Sequence, residues 1–199
     1  MILLNIMRVC TTDNVIAGKT RAFIAIDIPE RIKKELSAVD FGDVEGLKPV
    51  GSSSMHITIF FLGYITEQQI AKVISAMDSI SMRKFAIGIK GIGVFTQSDP
   101  RVIYAAINEG RSEISSIFDG MRSYIASCCR IESRAFVPHV TIARIKHQSS
   151  SNAEAANRLA SAYKSKDFGI FECDSIKLKK SVLGESGPSY SNIYIKAFS

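Results

Sequence analysis

The sequence lacks several features that would place it in other protein classes. It contains no run of about 18 consecutive apolar residues, so no membrane-spanning helix is predicted. Its four cysteines form no C-x-x-C pair, and Cys128 and Cys129 are adjacent, which argues against a disulfide scaffold and a cysteine zinc site. We therefore expect free thiols in a reducing, cytoplasmic compartment. No low-complexity segment is present, and no linker is long enough to separate independent domains.

The composition is that of an ordinary folded domain. The 199 residues are 46% hydrophobic and 22% charged, which is enough apolar material for a core. The formal net charge of +6 favours polyanionic partners such as nucleic acid, although ordinary solubility explains it equally well. Residues 1–20 are predicted to be a poorly ordered N-terminal extension, and residues 21–199 a single domain.

Strand-like and helix-like patterns alternate along the chain, and the second half repeats the order of the first. Thr66 precedes an amphipathic stretch and is predicted to cap its helix. We expect an α+β fold with two pseudo-symmetric lobes of mainly antiparallel sheet, helices packed outside and a central cleft. The predicted strands cover residues 21–28, 55–63, 84–95, 101–108, 135–145, 169–184 and 190–198, and the predicted helices 29–39, 66–80, 111–128 and 151–166.

A four-residue phrase occurs twice, in the strands "MHITIFFLG" and "PHVTIARIK", and uses two of the three histidines. Because side chains alternate between the two faces of a strand, His56 and Thr58 point the same way, as do His139 and Thr141. One copy alone would be weak evidence, since His and Thr are tolerated on half-exposed sheet faces. Two copies in strand-like contexts predict that both pairs face one cleft.

The four side chains suit the cleavage of a phosphodiester. In-line displacement needs a base for the attacking oxygen and an acid for the leaving oxygen, and imidazole serves both purposes with its pKa of about 6.5. Threonine hydroxyls can donate hydrogen bonds to phosphate oxygens. A nucleophilic serine or cysteine is not required, and no nucleophile elbow is recognisable. The residues alone do not say which histidine is the acid.

With its two H-x-T-x motifs, the chain resembles the 2H phosphoesterases, a superfamily that is named for them. Within this superfamily it is most similar to the RNA 2′,3′-cyclic phosphodiesterases, which are also labelled 2′-5′ RNA ligases. "RAFIAIDIPERIKKEL" is similar to the opening strand and helix of that family, and "DPRVIYAAI" to the strand before its central helix. The closing segment "LKKSVLGESGPSYSNI" carries Gly187, Pro188 and Tyr190 in the usual places. The resemblance covers Arg21 to Phe198.

The resemblance implies a bilobal fold and hydrolysis of a terminal 2′,3′-cyclic phosphate on RNA to a 2′-phosphomonoester, without metal or other cofactor. It implies that His56 is the proton donor and His139 the proton acceptor, with Thr58 and Thr141 holding the phosphate. The expected partners are RNA ends, including tRNA fragments, or small cyclic nucleotides, and we expect a monomer. Three alternatives stay open: 2′-5′ ligation at the same site, non-catalytic binding of RNA ends, and a metal-dependent phosphodiesterase, which two histidines support poorly.

Three further features leave two interpretations each. Phe60 follows His56 and Thr58 in strict alternation, so it either stacks on a nucleobase in the cleft or belongs to the core. Arg144 falls on the face opposite His139 unless the strand is bulged, which favours structural pairing. The lysine run 177–180 is either a solvated edge or a guide for the RNA backbone.

Overall fold

A nine-stranded antiparallel sheet organises the computed structural model, which describes residues 18–42, 44–147, 149–184 and 187–199. The strands are β1 (Lys19–Asp27), β2 (Leu47–Pro49), β3 (His56–Thr66), β4 (Phe85–Val94), β5 (Val102–Glu109), β6 (His139–Ile145), β7 (Asp167–Cys173), β8 (Ser175–Gly184) and β9 (Gly187–Ala197). The helices are α1 (Glu30–Ser37), α2 (Glu67–Asp78), α3 (Arg111–Cys128) and α4 (Ser150–Ala162), and a 3₁₀ turn covers Ser52–Ser54.

The order of the strands shows two equivalent halves. The sheet runs β7-β4-β5-β6-β3-β1-β8-β9, with the short β2 paired to β6. Counted outward from the centre, β6-β5-β4-β7 in one half corresponds to β3-β1-β8-β9 in the other, and every pairing is antiparallel. The two predicted lobes are therefore joined as one continuous sheet. The predicted α+β class, with mainly antiparallel strands and two pseudo-symmetric halves, is confirmed.

The helices cover the sheet face that carries the aliphatic side chains of the central strands. α2 and α3 pack against each other and against β3, and α4 packs against β4. The predicted cap of α2 is present, because the Thr66 hydroxyl accepts from the Gln69 amide while the Gln69 side chain accepts from the Thr66 amide. None of the helices in the described part of the chain has the length and apolar character needed to cross a membrane.

Several boundaries differ from those predicted. The stretch 169–184 forms two strands, β7 and β8, which lie in opposite halves of the sheet. β1 begins at Lys19, so the last two residues assigned to the N-terminal extension belong to the sheet; residues 1–17 of that extension lie outside the described residues. The strand expected over 135–145 begins only at His139, and residues 131–138 form an irregular connection between α3 and β6. Pro138 explains this start, since proline has no amide hydrogen to offer a sheet ladder.

Candidate active site

The two central strands meet at one pair of residues. β3 and β6 are joined where Ile57 lies opposite Val140, and both side chains are fully buried. Residues opposite each other in an antiparallel pair share a face of the sheet, and their sequence neighbours point to the other face. His56, Thr58, His139 and Thr141 must therefore all project from the face that the helices leave uncovered.

The register also fixes how these four side chains are arranged. Because Ile57 faces Val140, His56 lies across from Thr141, and Thr58 lies across from His139. The two histidines then occupy diagonal positions, for which the usual separation is about 7–8 Å. Each histidine and each threonine is half-buried. The register thus brings all four residues of the repeated phrase to one patch at the centre of the sheet.

The tautomer of His139 follows from its contact with the backbone. Its Nδ1 lies 2.7 Å from the carbonyl oxygen of Val137. A carbonyl can only accept, so Nδ1 carries the hydrogen in the neutral ring and Nε2 keeps its lone pair. Burial lowers the pKa of His139; the Val137 carbonyl opposes this change, and the positive charge of Arg144 adds to it.

The surroundings of His56 favour its neutral form more strongly. Burial is the main cause that lowers the pKa of His56 to about 4, and the charges of Lys179 and His139 act in the same direction. The backbone of Ser54, two residues before the histidine, and the carboxylate of Asp27 oppose the change. Both imidazoles are therefore held neutral at pH 7 by their surroundings in the protein.

Two lysines of the predicted basic run belong to this site. Lys177 donates to Asp27 at 2.7 Å, and Lys179 donates to the other carboxylate oxygen. Burial alone would raise the pKa of Asp27, but the two lysines together lower it. One carboxylate facing two ammonium groups leaves excess positive charge beside His56. Lys177 and Lys179 are thus held by Asp27 beside the site and do not form a solvated edge.

Aromatic rings flank each histidine in the same way. Phe23 and Tyr190 lie 4.8 and 5.3 Å from the ring of His56. In the other half, Phe95 and Tyr104 lie 4.8 and 5.5 Å from the ring of His139. The rings limit the access of water to both imidazoles, which accounts for the burial that lowers their pKa values.

Both motif strands contain a bulge at the same place, one residue after the threonine. In the pairing of β3 with β1, Thr58 and Phe60 lie opposite two consecutive residues of β1, so β3 has one extra residue between them. In the pairing of β6 with β5, Thr141 and Ala143 likewise lie opposite two consecutive residues of β5. A bulge interrupts the alternation, so that residues beyond it change faces. Repetition of the bulge in both strands is a further sign of the pseudo-symmetry.

The bulge corrects the expectation for Phe60. Strict alternation placed it in the cleft, but Phe60 is 3% exposed, packs into the core and stacks on Phe118 at 4.6 Å. The next residue, Phe61, is 50% exposed instead. Of the two interpretations left open by the sequence, core packing is the one that fits Phe60.

The same shift brings Arg144 to the side of His139. The argument for structural pairing assumed an unbroken strand, whereas the bulge makes Arg144 exposed and close enough to lower the pKa of His139. Within the described residues it forms no ion pair with a carboxylate. The sequence analysis considered this residue but favoured structural pairing, because it did not predict the bulge. The available signal was the apolar doublet that follows the threonine in both motifs, Ile-Phe and Ile-Ala.

A cavity of about 330 Å³ opens directly beside the paired motifs. Thr58 and His139 form part of its wall, and the remaining wall comes from β3, α3, the end of β4 and the connection before β6. Its wall is rich in phenylalanine, and Phe60, Phe61, Phe95, Phe118 and Phe136 all contribute. Among the described residues, no group of three or more His, Cys, Asp or Glu side chains is arranged to hold a metal ion.

The chain is similar in sequence to known proteins. The profile of the AKAP7 2′5′ RNA ligase-like domain matches residues 27–193. A protein of Aquifex aeolicus named RNA 2′,3′-cyclic phosphodiesterase is 36% identical over 170 residues, covering 83% of this chain and 86% of its own. A protein of the same name from Methanocaldococcus jannaschii is 34% identical over 175 residues, covering 87% of this chain and 98% of its own.

Solved structures share the fold at lower identity. Escherichia coli LigT complexed with 3′-AMP superposes with a TM-score of 0.73 at 18% identity, covering 91% of this chain and 99% of that one. The protein TT0787 of Thermus thermophilus gives a TM-score of 0.72 at 23% identity, covering 89% of this chain and 97% of its own. These likenesses extend over nearly the whole described sheet.

Proposed function

This chain belongs to the family of AKAP7 2′5′ RNA ligase-like domains, and from that membership we propose that it is an RNA 2′,3′-cyclic phosphodiesterase that uses two histidines as general acid and base. The observation that carries the proposal is the pairing of Ile57 with Val140, which turns both His-x-Thr pairs toward one cleft. Relatives that cover the same stretch of chain bear the name of this activity.

The proposed step is an in-line displacement at phosphorus. His139 Nε2 takes a proton from water while the water oxygen forms a bond to phosphorus. The bond from phosphorus to the ribose 3′-oxygen breaks, and His56 gives its proton to that oxygen. The product is a 2′-phosphomonoester, and the proton gained by His139 returns to solvent or to His56 before the next turnover. The contact of His139 Nδ1 with Val137 supports the role of the base, because it leaves Nε2 free.

The remaining groups stabilise the negative charge of the phosphate. Thr58 and Thr141, each across from a histidine of the other strand, donate their hydroxyl hydrogens to the non-bridging oxygens. Arg144, brought to this face by the bulge, adds a fixed positive charge on the His139 side. Both halves of the sheet contribute to one site, which is why we treat residues 21–199 as a single functional domain.

Because the pKa of His56 is low, substrate binding must also favour the protonated form of this histidine. A proton donor must be charged when the reaction begins, yet the surroundings of His56 keep it neutral at pH 7 before substrate binds. A bound phosphodiester anion offsets the charge of Lys179 and favours the imidazolium. Substrate therefore helps to protonate its own general acid.

Hydrolysis of adenosine 2′,3′-cyclic phosphate tests the proposal, with the 2′- and 3′-monophosphates separated by chromatography. We expect the 2′-isomer, and we expect His56→Ala and His139→Ala each to lower kcat about 10²–10⁴-fold. His147→Ala is the matched control, because His147 is an exposed histidine outside the cleft. Circular dichroism checks that each variant is folded. Formation of the 3′-isomer would refute the proposed cleavage at the 3′-oxygen, and near wild-type turnover by either site variant would refute the two-histidine scheme.

A further inference from the structure

A group of basic side chains continues from the second motif strand, away from the two histidines. It consists of Lys48 on β2, Arg144 on β6 and Lys146 directly after β6, and all three side chains are exposed. We call these three residues the basic row. Within the part of the chain that the structure describes, every ion pair involves other residues, so no carboxylate lies within ion-pair distance of the row.

The pairing of β6 with β5 puts Arg144 on the catalytic face of the sheet. On β5, Val102 lies opposite Arg144 and Tyr104 lies opposite Thr141. Val102 and Tyr104 are two residues apart, so their side chains and those of their partners share one face. Tyr104 contacts the ring of His139 from that face. Two residues of a strand span about 7 Å, so Arg144 lies about one nucleotide further along the sheet than Thr141.

Two positive charges of the basic row face each other across a strand pair. Lys48 lies directly opposite Arg144 in the pairing of β2 with β6. Side chains at such positions share a face, and two like charges there destabilise the pair. The amide of Lys146 donates to the carbonyl of Gly46 at 3.1 Å, which holds the end of β6 against the turn before β2. This arrangement is unfavourable for folding by itself, and an anion bound between the ammonium and guanidinium groups removes the repulsion.

The cations of the other half of the sheet differ from the basic row because they are already engaged. Lys177 and Lys179 bind Asp27, and their side chains are only 21% and 12% exposed. Arg21 donates to the hydroxyl of Ser181 at 3.2 Å. A polyanion that extends from the reacting phosphate therefore finds uncompensated and exposed positive charge on the β2 side of the cleft.

From these features we infer that the basic row binds the backbone of the RNA strand that precedes the cleaved nucleotide. The inference rests on the proposed function. Arg144 serves the reacting phosphate as described above, and Lys48 and Lys146 bind the phosphodiesters of the next nucleotides on the 5′ side. These contacts are made to phosphate oxygens and carry no base preference. The protein thus distinguishes an RNA end from a free cyclic nucleotide by the charge of the strand behind it.

Two trinucleotides isolate the charge of that strand. One is a triadenylate that ends in a 2′,3′-cyclic phosphate, and the other has the same bases and the same end but uncharged methylphosphonates at both internal linkages. An exposed ion pair supports an effect of about 1.4–5-fold, so two of them should make kcat/KM about 2–25-fold higher for the charged trinucleotide at low salt. The advantage should shrink as salt is added, because exposed charges are screened.

Substitution of the two lysines tests the basic row itself. In Lys48→Met and in Lys146→Met, the ratio of kcat/KM between the charged and uncharged trinucleotides should fall toward one. The log–log salt dependence for the charged trinucleotide should become shallower by about 0.7 in each variant. Hydrolysis of adenosine 2′,3′-cyclic phosphate should stay at the wild-type rate. Lys72→Met is the matched control, because Lys72 is an exposed lysine of α2 on the helix-covered side of the sheet, and it should change neither the ratio nor the slope.

A binding measurement separates the basic row from the chemistry. Fluorescence anisotropy of the two trinucleotides, labelled at the 5′ end and carrying a 2′-phosphate, reports the same preference without turnover. A protein that cleaves no cyclic phosphate but binds the charged trinucleotide more tightly would refute the proposed function and uphold the basic row. Equal kcat/KM and equal affinity for the two trinucleotides, with adenosine 2′,3′-cyclic phosphate still cleaved, would overturn the basic row and leave the proposed function intact. A preference that persists unchanged in both lysine variants would overturn it as well.

Discussion

Titration of the site histidines gives the most detailed prediction, because burial in the cleft lowers the pKa of both rings. The pKa of His56 is lowered from 6.5 to about 4. Each unit of pKa difference between the folded and unfolded states corresponds to about 1.36 kcal/mol, so protonating His56 costs about 3 kcal/mol of folding free energy. Between pH 6.5 and 4 the unfolded chain binds more protons, and stability should fall as the pH is lowered through this window.

Nuclear magnetic resonance can follow this titration directly, since the protein has only three histidines. We expect the His56 signal to titrate near pH 4 and the His139 signal below 6.5. Lys179→Met should raise the pKa of His56, because it removes a nearby positive charge. It also removes one of the two ammonium groups that offset the negative charge of Asp27. Lys90→Met, on an exposed lysine in the other half of the sheet, should leave it unchanged. A midpoint for His56 at or above 6.5 would refute this description of the cleft.

Three further predictions address the phosphate contacts and the junction of the two halves. Thr58→Val and Thr141→Val should each lower kcat/KM for a cyclic nucleotide about 10–100-fold, the worth of a hydrogen bond to a charged group, and unchanged rates in steady-state assays would contradict their role. Arg144→Met should weaken binding of inorganic phosphate measured by calorimetry, whereas an arginine that is merely structural would lower the melting temperature instead. Ile57→Ala should reduce the free energy of unfolding by about 2–5 kcal/mol in urea, while Ile195→Ala, at a 49% exposed position, should change it by less than about 0.5 kcal/mol.

Much of the fold could be predicted because its signals are local. Alternation of apolar and polar residues identified the strands that carry His56 and His139, and the cap at Thr66 follows from its position before an amphipathic stretch. The repeated order of elements also predicted two equivalent halves. Each of these inferences needs only neighbouring residues or an internal comparison of the chain.

What could not be predicted depends on contacts between distant segments. The single pairing of Ile57 with Val140 is a choice of register between strands far apart in sequence, and no local pattern determines it. The bulges are also set by the partner strands, and for this reason strict alternation misplaced Phe60 and Arg144. The ring of Phe95 was missed because it reaches His139 from a different strand connection.

The central claim is that His56 and His139 act as one unit on a single phosphorus atom, and a double-mutant cycle on kcat tests it most directly. Groups that work together in one step lose most of their effect when either is removed, so their separate losses do not multiply. We expect the His56→Ala/His139→Ala double variant to be about as slow as the slower single variant. Two losses that multiply in the double variant would show that the histidines contribute independently, and would contradict the account.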